Sequence, residues 1–600
     1  MSSNNEGKAA SCGCSRRNFL KAGALAAAVP AAGVGAFYCG YSNTHGRRMR
    51  VAVMGVGDEG SVLLGACNPE FVDIVAIADI RPYNQYRAFH GDHYGDVALA
   101  ARPGLMKLYG WQTEDEARKH VKVYADYRDL LNDAAKLGIE GVIIGLPLHL
   151  HSIASIQAMS KGLHVLCEKL MGHSIIECKE MARAAKMFRK HLAIGHQRHY
   201  NILYQEATDQ IERGIIGDIH YIRAQWHRGN SPGADSWQMP MPEAFKDADP
   251  QASKLAEELA AWKEELNNAR GLDIETWRLK VAQKEAQLAD ALMLEEGASY
   301  KGVTLKSPAE YGYQDMVVGK GGKNEYSRPS TEELIRWRLW KRTGGGLMVE
   351  LGSHQLDAAS IFLAASNRRA CMLRGEDPTK LPDNGKVHPL RVHVSANRNL
   401  FALDREVQDH ITTLVEFPAP NYDPKTPAGR RRTITVQYST INGNGFGGYG
   451  EIVFGTKGTI VLEREQDSQL LRGPSTSKVE KKAAGAAALD TQASAPAQKA
   501  VAAGPAGPAV SRGYKEEVEH WAWCAQNNPD CSDPDIQPRC NPRIALGDAV
   551  IALVTNIAAD KGESVQFKES WFDPDNDETP ENDLGVENGV PNVDQDKYKL

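Results

Sequence analysis

The stretch RVAVMGVGDEG, residues 50–60, decides the fold of the first part of the chain. A short apolar strand leads into three glycines spaced as G-x-G-x-x-G, and residues typical of a helix follow them. In this context Gly55 permits a tight turn, Gly57 lets a phosphate approach the backbone, and Gly60 lets the helix pack closely on the strand. The N–H groups and positive potential of the helix N-terminus favour an anion. The stretch therefore predicts a turn that binds a pyrophosphate.

The next strand supplies a carboxylate for the same ligand. Residues 74–78 are apolar and end at Asp79, about 20 residues after the glycine turn, where a carboxylate can accept hydrogen bonds from ribose hydroxyls. This carboxylate would repel the 2′-phosphate of NADP, whereas the nearby Arg81 could partly offset the repulsion. We expect a dinucleotide cofactor, with NAD preferred over NADP.

Further strands place these motifs in a two-domain α/β chain. Apolar runs that alternate with helix-length stretches predict a doubly wound parallel sheet of Rossmann type. They cover residues 121–124, 141–145, 164–167 and 192–195. Later runs stand close together, which indicates a C-terminal α+β domain with a large, mostly antiparallel open sheet. They cover residues 219–226, 391–396, 412–417, 433–438 and 451–454.

The remaining segments flank or interrupt these two domains. The predicted order is a signal and linker at 1–46, a nucleotide-binding domain at 47–195, a second domain at 196–472, an Ala-rich linker at 473–512, a return segment at 513–570 and an acidic tail at 571–600. Within the second domain, residues 239–328 show helical stripes that predict an antiparallel helical hairpin. This insertion could be a lid, an oligomer contact or decoration.

The N-terminus resembles a bacterial twin-arginine signal. Arg16 and Arg17 precede Phe-Leu-Lys and a weakly apolar Ala/Gly run that is too mild for a membrane span. We expect recognition by the twin-arginine export machinery and a periplasmic location, with membrane anchoring if the signal stays uncleaved. A basic disordered tail is the alternative.

Composition narrows the ligand class. The formal net charge is −6 and the two signs nearly balance, which argues against nucleic acid or an anionic membrane as partner and favours a small polar molecule. The ten cysteines show no metal-type spacing in the body of the chain, and we expect no metal site. In an oxidising compartment Cys531 and Cys540 could form a disulfide.

Two loops follow neighbouring strands of the first domain and should face the nicotinamide half of the cofactor. One carries Pro147 and His151, and the other carries Glu168 and Lys169. Together with the glycine turn and Asp79, these residues resemble the Gfo/Idh/MocA oxidoreductase family. The usual tripeptide of that family is Glu-Lys-Pro, and this chain has leucine in place of the proline.

A second motif, GGGLMVELGSHQLD at residues 344–357, is similar to another signature of that family. Glu350, His354 and Asp357 fall at i, i+4 and i+7 of a predicted helix and share one face. Such a stripe suits proton transfer, because an imidazole can accept the proton of a substrate hydroxyl. A helix-capping cluster at a domain interface is the alternative. The family commonly has aspartate where this chain has Glu350.

The resemblance implies roles for individual residues. The implied catalytic group is Lys169, His354 and Glu350. The implied cofactor contacts are Gly55, Gly57, Asp58, Glu59, Gly60, Asp79, Arg81, Pro147, His151 and Glu168. The implied substrate contacts are Gln197, Arg198, His227 and Asp357. The resemblance also implies a homo-oligomer built through the second domain.

The expected reaction is hydride transfer between nicotinamide and a secondary hydroxyl of a sugar, sugar derivative or cyclitol. His354 would take the hydroxyl proton and Lys169 would stabilise the alkoxide, or Lys169 would itself transfer the proton. The alternatives are a glycosidase that keeps NAD bound and oxidises the substrate transiently, and a non-catalytic sugar-binding protein. An exported enzyme must bring its own cofactor, so we expect NAD to be tightly bound.

Overall fold

The computed structural model of the chain describes residues 40–41, 47–229, 250–295, 297–301, 303–318, 326–401, 406–473, 479–481, 487–489 and 511–586. The twin-arginine motif lies outside the described residues, as do most of the Ala-rich linker and the end of the acidic tail.

The first domain contains a parallel sheet of six strands in the order β3-β2-β1-β4-β5-β6. The strands are β1 (Met49–Met54), β2 (Val72–Ala78), β3 (Lys122–Tyr124), β4 (Gly141–Ile144), β5 (His164–Glu168) and β6 (Leu192–Gly195). The strand order reverses between β1 and β4, which opens a crevice beyond the carboxyl ends of these strands. The predicted Rossmann-type sheet is confirmed.

Helices connect and cover these strands. They are α1 (Asp58–Ala66), α2 (Pro82–His90), α3 (Asp96–Ala101), α4 (Leu105–Tyr109), α5 (Glu114–His120), α6 (Tyr127–Asp133), α7 (His151–Ser160) and α8 (Ile175–Phe188). All four residues of β4 and all five residues of β5 are buried. Continuous burial is typical of a parallel sheet that is covered on both faces, and it explains why these strands read as uninterrupted apolar runs.

The second domain is built on an eight-stranded sheet in the order β17-β16-β15-β7-β14-β13-β12-β20. The strands are β7 (Ile219–Arg228), β12 (Arg391–Asn397), β13 (His410–Pro418), β14 (Thr433–Asn442), β15 (Tyr449–Gly455), β16 (Gly458–Glu463), β17 (Asp467–Arg472) and β20 (Val565–Gln566). Only the β7–β14 pair of this sheet is parallel, so the predicted mostly antiparallel sheet is confirmed. Alternating burial along β14 shows one face on the core.

Helices and short strands complete this domain. The helices are α9 (Ile202–Glu212), α10 (Pro250–Asn268), α11 (Asp273–Ala289), α12 (Ser330–Ile335) and α13 (Ser353–Leu373), and the short strands are β8 (Ser299–Tyr300), β9 (Val303–Thr304), β10 (Met316–Val318) and β11 (Tyr326–Arg328). Helices α10 and α11 pack against each other, and α11 also packs on α2 of the first domain. A π-helical turn, Met348–Gly352, leads into α13, which packs on the large sheet.

The C-terminal part returns to both domains. It contains β18 (Val479–Lys481), β19 (Ala487–Leu489), α14 (Tyr514–Asn527), α15 (Pro542–Lys561) and α16 (Pro580–Asp583). By length and composition α15 could cross a membrane, but 78% of its apolar window is buried inside the protein, as in a core helix. Trp521 of α14 lies fully buried in the core of the first domain.

Two expectations about the C-terminal part need correction. The acidic tail was expected to begin at residue 571, but Trp571 and Phe572 are buried, and the ammonium of Lys179 donates to three carbonyl oxygens between residues 570 and 578. The disulfide that Cys531 and Cys540 could form is not present either, because both are free thiols. Cys540 is buried in the core, whereas Cys531 is half-buried.

Candidate active site

A cavity of about 1350 Å³ lies beyond the carboxyl ends of the parallel strands and is lined on its other side by the second domain. Many of the residues that the sequence singled out line it. These are Gly55, Gly57, Asp58, Glu59, Asp79, Arg81, Pro147, His151, Glu168, Lys169, Glu350 and His354. The glycine turn and the motif at residues 344–357 both line this cavity, although these two segments lie far apart in the sequence.

The glycine turn leaves room for a ligand at one position only. Gly55 has a positive φ of 80°, and a Cβ there would meet the carbonyl oxygen of Gly145 at 2.5 Å. A Cβ on Gly60 would collide with the backbone of Gly55, so both glycines serve close packing. Gly57 is different, since its nearest neighbour would be the Asn84 amide nitrogen at 3.6 Å. The turn therefore fits a pyrophosphate that approaches Gly57 at the N-terminus of α1.

Asp79 is held firmly at the end of β2. Its carboxylate accepts the backbone N–H groups of Val56 and Arg81, each at 2.9 Å, and the amide of Asn84 at 3.1 Å. Burial outweighs these bonds and raises the pKa of Asp79. The carboxylate lines the cavity beside the glycine turn, where a ribose would lie.

Lys169 lies where the two domains meet. Its ammonium donates to the carbonyl oxygen of Glu350 at 2.5 Å, and its backbone N–H donates to the Glu168 carboxylate at 3.1 Å. Burial lowers the pKa of Lys169 from its ordinary value of 10.5. Burial and the neighbouring charge of Glu59 raise the pKa of Glu168 to about 8.

His354 faces the same cavity from α13. Its ring lies 5.4 Å from the ring of Trp226, and its Nδ1 atom is buried without a hydrogen-bond partner among the described residues. Burial and then the positive charge of Lys169 hold the pKa of His354 well below its usual range, so the imidazole is neutral. The carboxylate of Glu350 accepts from Arg338 at 3.1 Å.

His151 connects the two loops that approach the cavity. Its Nδ1 lies 2.7 Å from the carbonyl oxygen of Leu170, and its Nε2 lies 2.8 Å from that of Leu146. The ring lies between the loops after β4 and β5, and in its neutral form it donates to one of these two carbonyl oxygens. His151 therefore positions Lys169 through the backbone.

Three of the expected substrate contacts lie behind the cavity wall. Gln197, Arg198 and Asp357 are fully buried and do not line the cavity. The guanidinium of Arg198 donates to the carbonyl oxygen of His354 at 2.7 Å and to Glu451 at 2.9 Å. These residues lie at the base of the helix that carries His354, so the structure places them as supports.

Asp357 belongs to a buried cluster beneath the cavity. Its carboxylate is 2.7 Å from Nε2 of His199, and ligand-type atoms of His199, Asp357 and Asp548 lie within 4.8 Å of one another. Lys386 donates to Asp548 at 2.7 Å, so the cluster includes its own cation. It is an ion-paired support for α13.

His227, which was expected to contact the substrate, does not face the cavity, because side chains alternate between the two faces of a strand. Successive side chains of β7 point to opposite faces, and Trp226 and Arg228 line the cavity while His227 does not. Sequence reasoning also missed Trp337, Tyr514 and Arg512, which line the cavity from separate segments. No local motif marks such residues, because only the tertiary fold brings them to the cavity.

Comparison with known proteins supports the interpretation of the first domain. Residues 49–196 match a family model described as "Oxidoreductase family, NAD-binding Rossmann fold". The first domain matches the Gfo/Idh/MocA family. Gly57 and Asp79 lie within this matched segment.

Curated relatives match about a third of the chain. The rhizopine catabolism protein MocA of Rhizobium meliloti is 25% identical over 202 residues, which is 33% of this chain and 53% of that protein. A glycosyl hydrolase family 109 protein of Stenotrophomonas maltophilia is 27% identical over 180 residues, which is 30% of this chain and 36% of that protein. The chain thus spans between about a third and about half of the length of these relatives.

Solved structures align over more of the chain at low identity. An inositol dehydrogenase homolog from Azotobacter vinelandii, complexed with NADH and myo-inositol, aligns with a TM-score of 0.48 and 13% identity over 87% of this chain and 98% of its own. An aldose-aldose oxidoreductase from Caulobacter crescentus aligns with a TM-score of 0.46 and 15% identity over 87% of this chain and all of its own.

Proposed function

We propose that this protein is an NAD-dependent oxidoreductase that transfers hydride between nicotinamide and a secondary hydroxyl of a sugar, sugar derivative or cyclitol. The observation that carries the proposal is the meeting of Lys169 and His354 in a cavity that also contains the glycine turn and Asp79. The match of residues 49–196 to an NAD-binding oxidoreductase model supports it.

The chain's own residues would hold the cofactor and move the proton. Gly57 and the N-terminus of α1 would receive the pyrophosphate, and Asp79 would accept from the ribose. When bound, NAD⁺ supplies the hydride acceptor at nicotinamide C4. The hydroxyl proton would pass to Lys169 or to His354, which both line the cavity.

The pKa shifts favour Lys169 as the proton acceptor. The pKa of Lys169 is lowered from 10.5, toward the physiological range, whereas the pKa of His354 moves away from it. A group transfers protons best when its pKa lies near the working pH. The neutral ring of His354 would then donate its N–H to the hydroxyl oxygen and orient it.

The cavity wall fits a carbohydrate. Trp226, Trp337 and Tyr514 present aromatic rings, and Arg228 and Arg338 supply hydrogen-bond donors beside them. A few polar groups among aromatic side chains fix the orientation of a small polar ligand.

The test is to mix the purified protein with NAD⁺ and a panel of sugars, glycosides and cyclitols and to follow absorbance at the NADH band. The proposal expects reduction with at least one secondary alcohol and none with the corresponding deoxy compound. Bound NAD that no member of the panel reduces would reject the dehydrogenase.

A second candidate is a glycosidase that oxidises its substrate transiently and then returns the hydride. The glycosyl hydrolase family 109 relative favours it. A chromogenic glycoside in deuterated water distinguishes the two, because the glycosidase would release the aglycone without net NADH and would place deuterium on carbon. Net NADH without aglycone release would support the dehydrogenase.

The sequence of the N-terminus supports export as part of the same proposal. Arg16, Arg17 and the Ala/Gly run after them would direct the folded protein through the twin-arginine machinery to the periplasm. Replacing both arginines with lysine should keep the protein in the cytoplasm. The large sheet would join copies of the chain into a homo-oligomer, which light scattering would detect.

A further inference from the structure

Arg81 lies where an NADP-binding enzyme would need a cation. The adenosine ribose of a dinucleotide lies beside the acidic residue that ends β2, and a nearby arginine can accommodate a 2′-phosphate there. Arg81 follows Asp79 closely and lines the cavity. An unpaired guanidinium at this position would therefore weaken discrimination against NADP.

The helical insertion supplies a carboxylate that forms an ion pair with Arg81. Asp290, directly after α11, accepts from both Nε and Nη2 of Arg81 at 2.9 Å. Its second carboxylate oxygen accepts the backbone N–H of Tyr83 at 3.0 Å, in the first turn of α2. Only 5% of the Asp290 side chain is exposed, so solvent screens the ion pair weakly.

The other arginines in this half of the cavity are paired with carboxylates as well. The pairs are Arg87–Asp58, Arg102–Asp92, Arg128–Asp126 and Arg342–Glu333. A 2′-phosphate placed beside Asp79 would thus meet two carboxylates, Asp79 and Asp290, and a guanidinium, that of Arg81, which Asp290 already pairs. A 2′-hydroxyl carries no charge and meets no such repulsion.

We infer that Asp290 is a cofactor-specificity residue through which the helical insertion makes the site selective for a dinucleotide without a 2′-phosphate. The inference rests on the proposed function and deepens it. It also gives the insertion a role, since α11 carries Asp290 to this position.

Further contacts fix the position of the insertion. Gln283 of α11 donates to Asp92 at 2.9 Å and to the hydroxyl of Tyr83 at 3.2 Å, and it accepts the backbone N–H of His93 at 2.5 Å. Lys284, one residue further, lines the cavity. The insertion is therefore one wall of the adenosine end of the cavity.

The test uses Asp290→Asn in the full chain, which keeps the size and an acceptor oxygen but removes the charge. Titration calorimetry of nucleotide-depleted protein would give the dissociation constants of NAD⁺ and NADP⁺. We expect the dissociation constant of NADP⁺ to fall about tenfold. This gain in affinity is close to the smallest free energy that one hydrogen bond to a charged group contributes. The constant for NAD⁺ should change less than the constant for NADP⁺.

Two control variants make the result specific. Asp273→Asn removes an exposed carboxylate from the first turn of the same helix, and it should leave both constants unchanged. Arg81→Ala combined with Asp290→Asn should abolish the gain in NADP⁺ affinity. If the wild type binds NAD⁺ and Asp290→Asn leaves the ratio of constants unchanged, the inference alone is overturned. If the wild type binds neither nucleotide, the proposed function fails with it.

Discussion

Lys169 is the residue on which the proposed chemistry depends most. The residue is half-buried where the two domains meet, and its pKa is lowered mainly by desolvation. Lys169→Met keeps the length of the side chain but removes the proton-transfer group. We expect turnover to fall by about two to four orders of magnitude, the usual contribution of a positioned acid or base. Steady-state kinetics and nucleotide titration would check it.

Nucleotide binding should survive in Lys169→Met, because Gly57 and Asp79 lie elsewhere in the cavity. Lys161→Met, at an exposed position, is the matched control and should keep full activity. If Lys169 is the acceptor, the rate of oxidation should rise with pH through its lowered pKa, and this rise should persist in His354→Asn. A Lys169→Met enzyme with near-normal turnover would contradict the assignment.

The carboxyl group of Glu168 should make the stability of the folded protein depend on pH. Its pKa is raised from 4.5 to about 8 in the folded protein, so the folded state holds a proton that the unfolded chain releases. Its contribution is fully present below pH 4.5 and is lost as the pH rises toward 8. Glu168→Gln cannot ionise, and we expect it to unfold about 2–4 °C above the wild type at alkaline pH.

Thermal unfolding at pH 5 and at pH 8.5 would check this, with Glu563→Gln as an exposed control. The advantage of Glu168→Gln should be larger at the higher pH. An equal shift at both values would mean that the folded protein does not retain the proton.

The sequence could identify a residue only where chemistry and local spacing coincide. The glycine spacing and the strand before it suffice to place Gly57 at the cavity, and Lys169 follows a recognisable strand end. Arg198 and Asp357 carry the same polar groups as residues that do contact a substrate. They are buried partners because Glu451 and His199 reach them from distant segments, and no local pattern records that.

Strand β7 gives a prediction at the scale of one element. Trp226 and His227 are neighbours on opposite faces, and only Trp226 lines the cavity. Trp226→Ala should lower kcat/KM about tenfold, because it removes an apolar contact with the substrate. His227→Ala should leave kcat/KM nearly unchanged. Kinetics on both variants, with circular dichroism to check folding, would decide it, and equal losses would contradict the assignment of faces.

At the same scale, strands that form continuous apolar runs were predictable, whereas the two-residue strand β20 was not. Strands β4 and β5 form continuous apolar runs, whereas β20 has two residues and gains its identity only from pairing with β12. The motif before α13 was predicted as a regular helix. The π-helical turn at Met348–Gly352 changes its register, so the expected shared face of Glu350 and Asp357 does not form.

At the scale of the whole molecule, we expect the cofactor to stay bound to the protein during purification. Both domains and the insertion line the cavity, so a bound nucleotide would contact all three parts at once. We predict that denaturing the purified protein releases close to one equivalent of NAD per chain. Chromatography of the supernatant measures it. Nucleotide-free protein that exchanges NAD freely would contradict retention.

The burial of Trp521 in the first domain also bears on how the chain is made. A ribosome finishes β6 long before it reaches α14, yet the core between β1, α1 and β4 is incomplete until Trp521 arrives. Domains usually fold in the order of synthesis. Here the core of the first domain needs a helix that is synthesised near the end of the chain, so a fragment ending at residue 196 should not fold, and nucleotide capture should follow the release of the full chain from the ribosome.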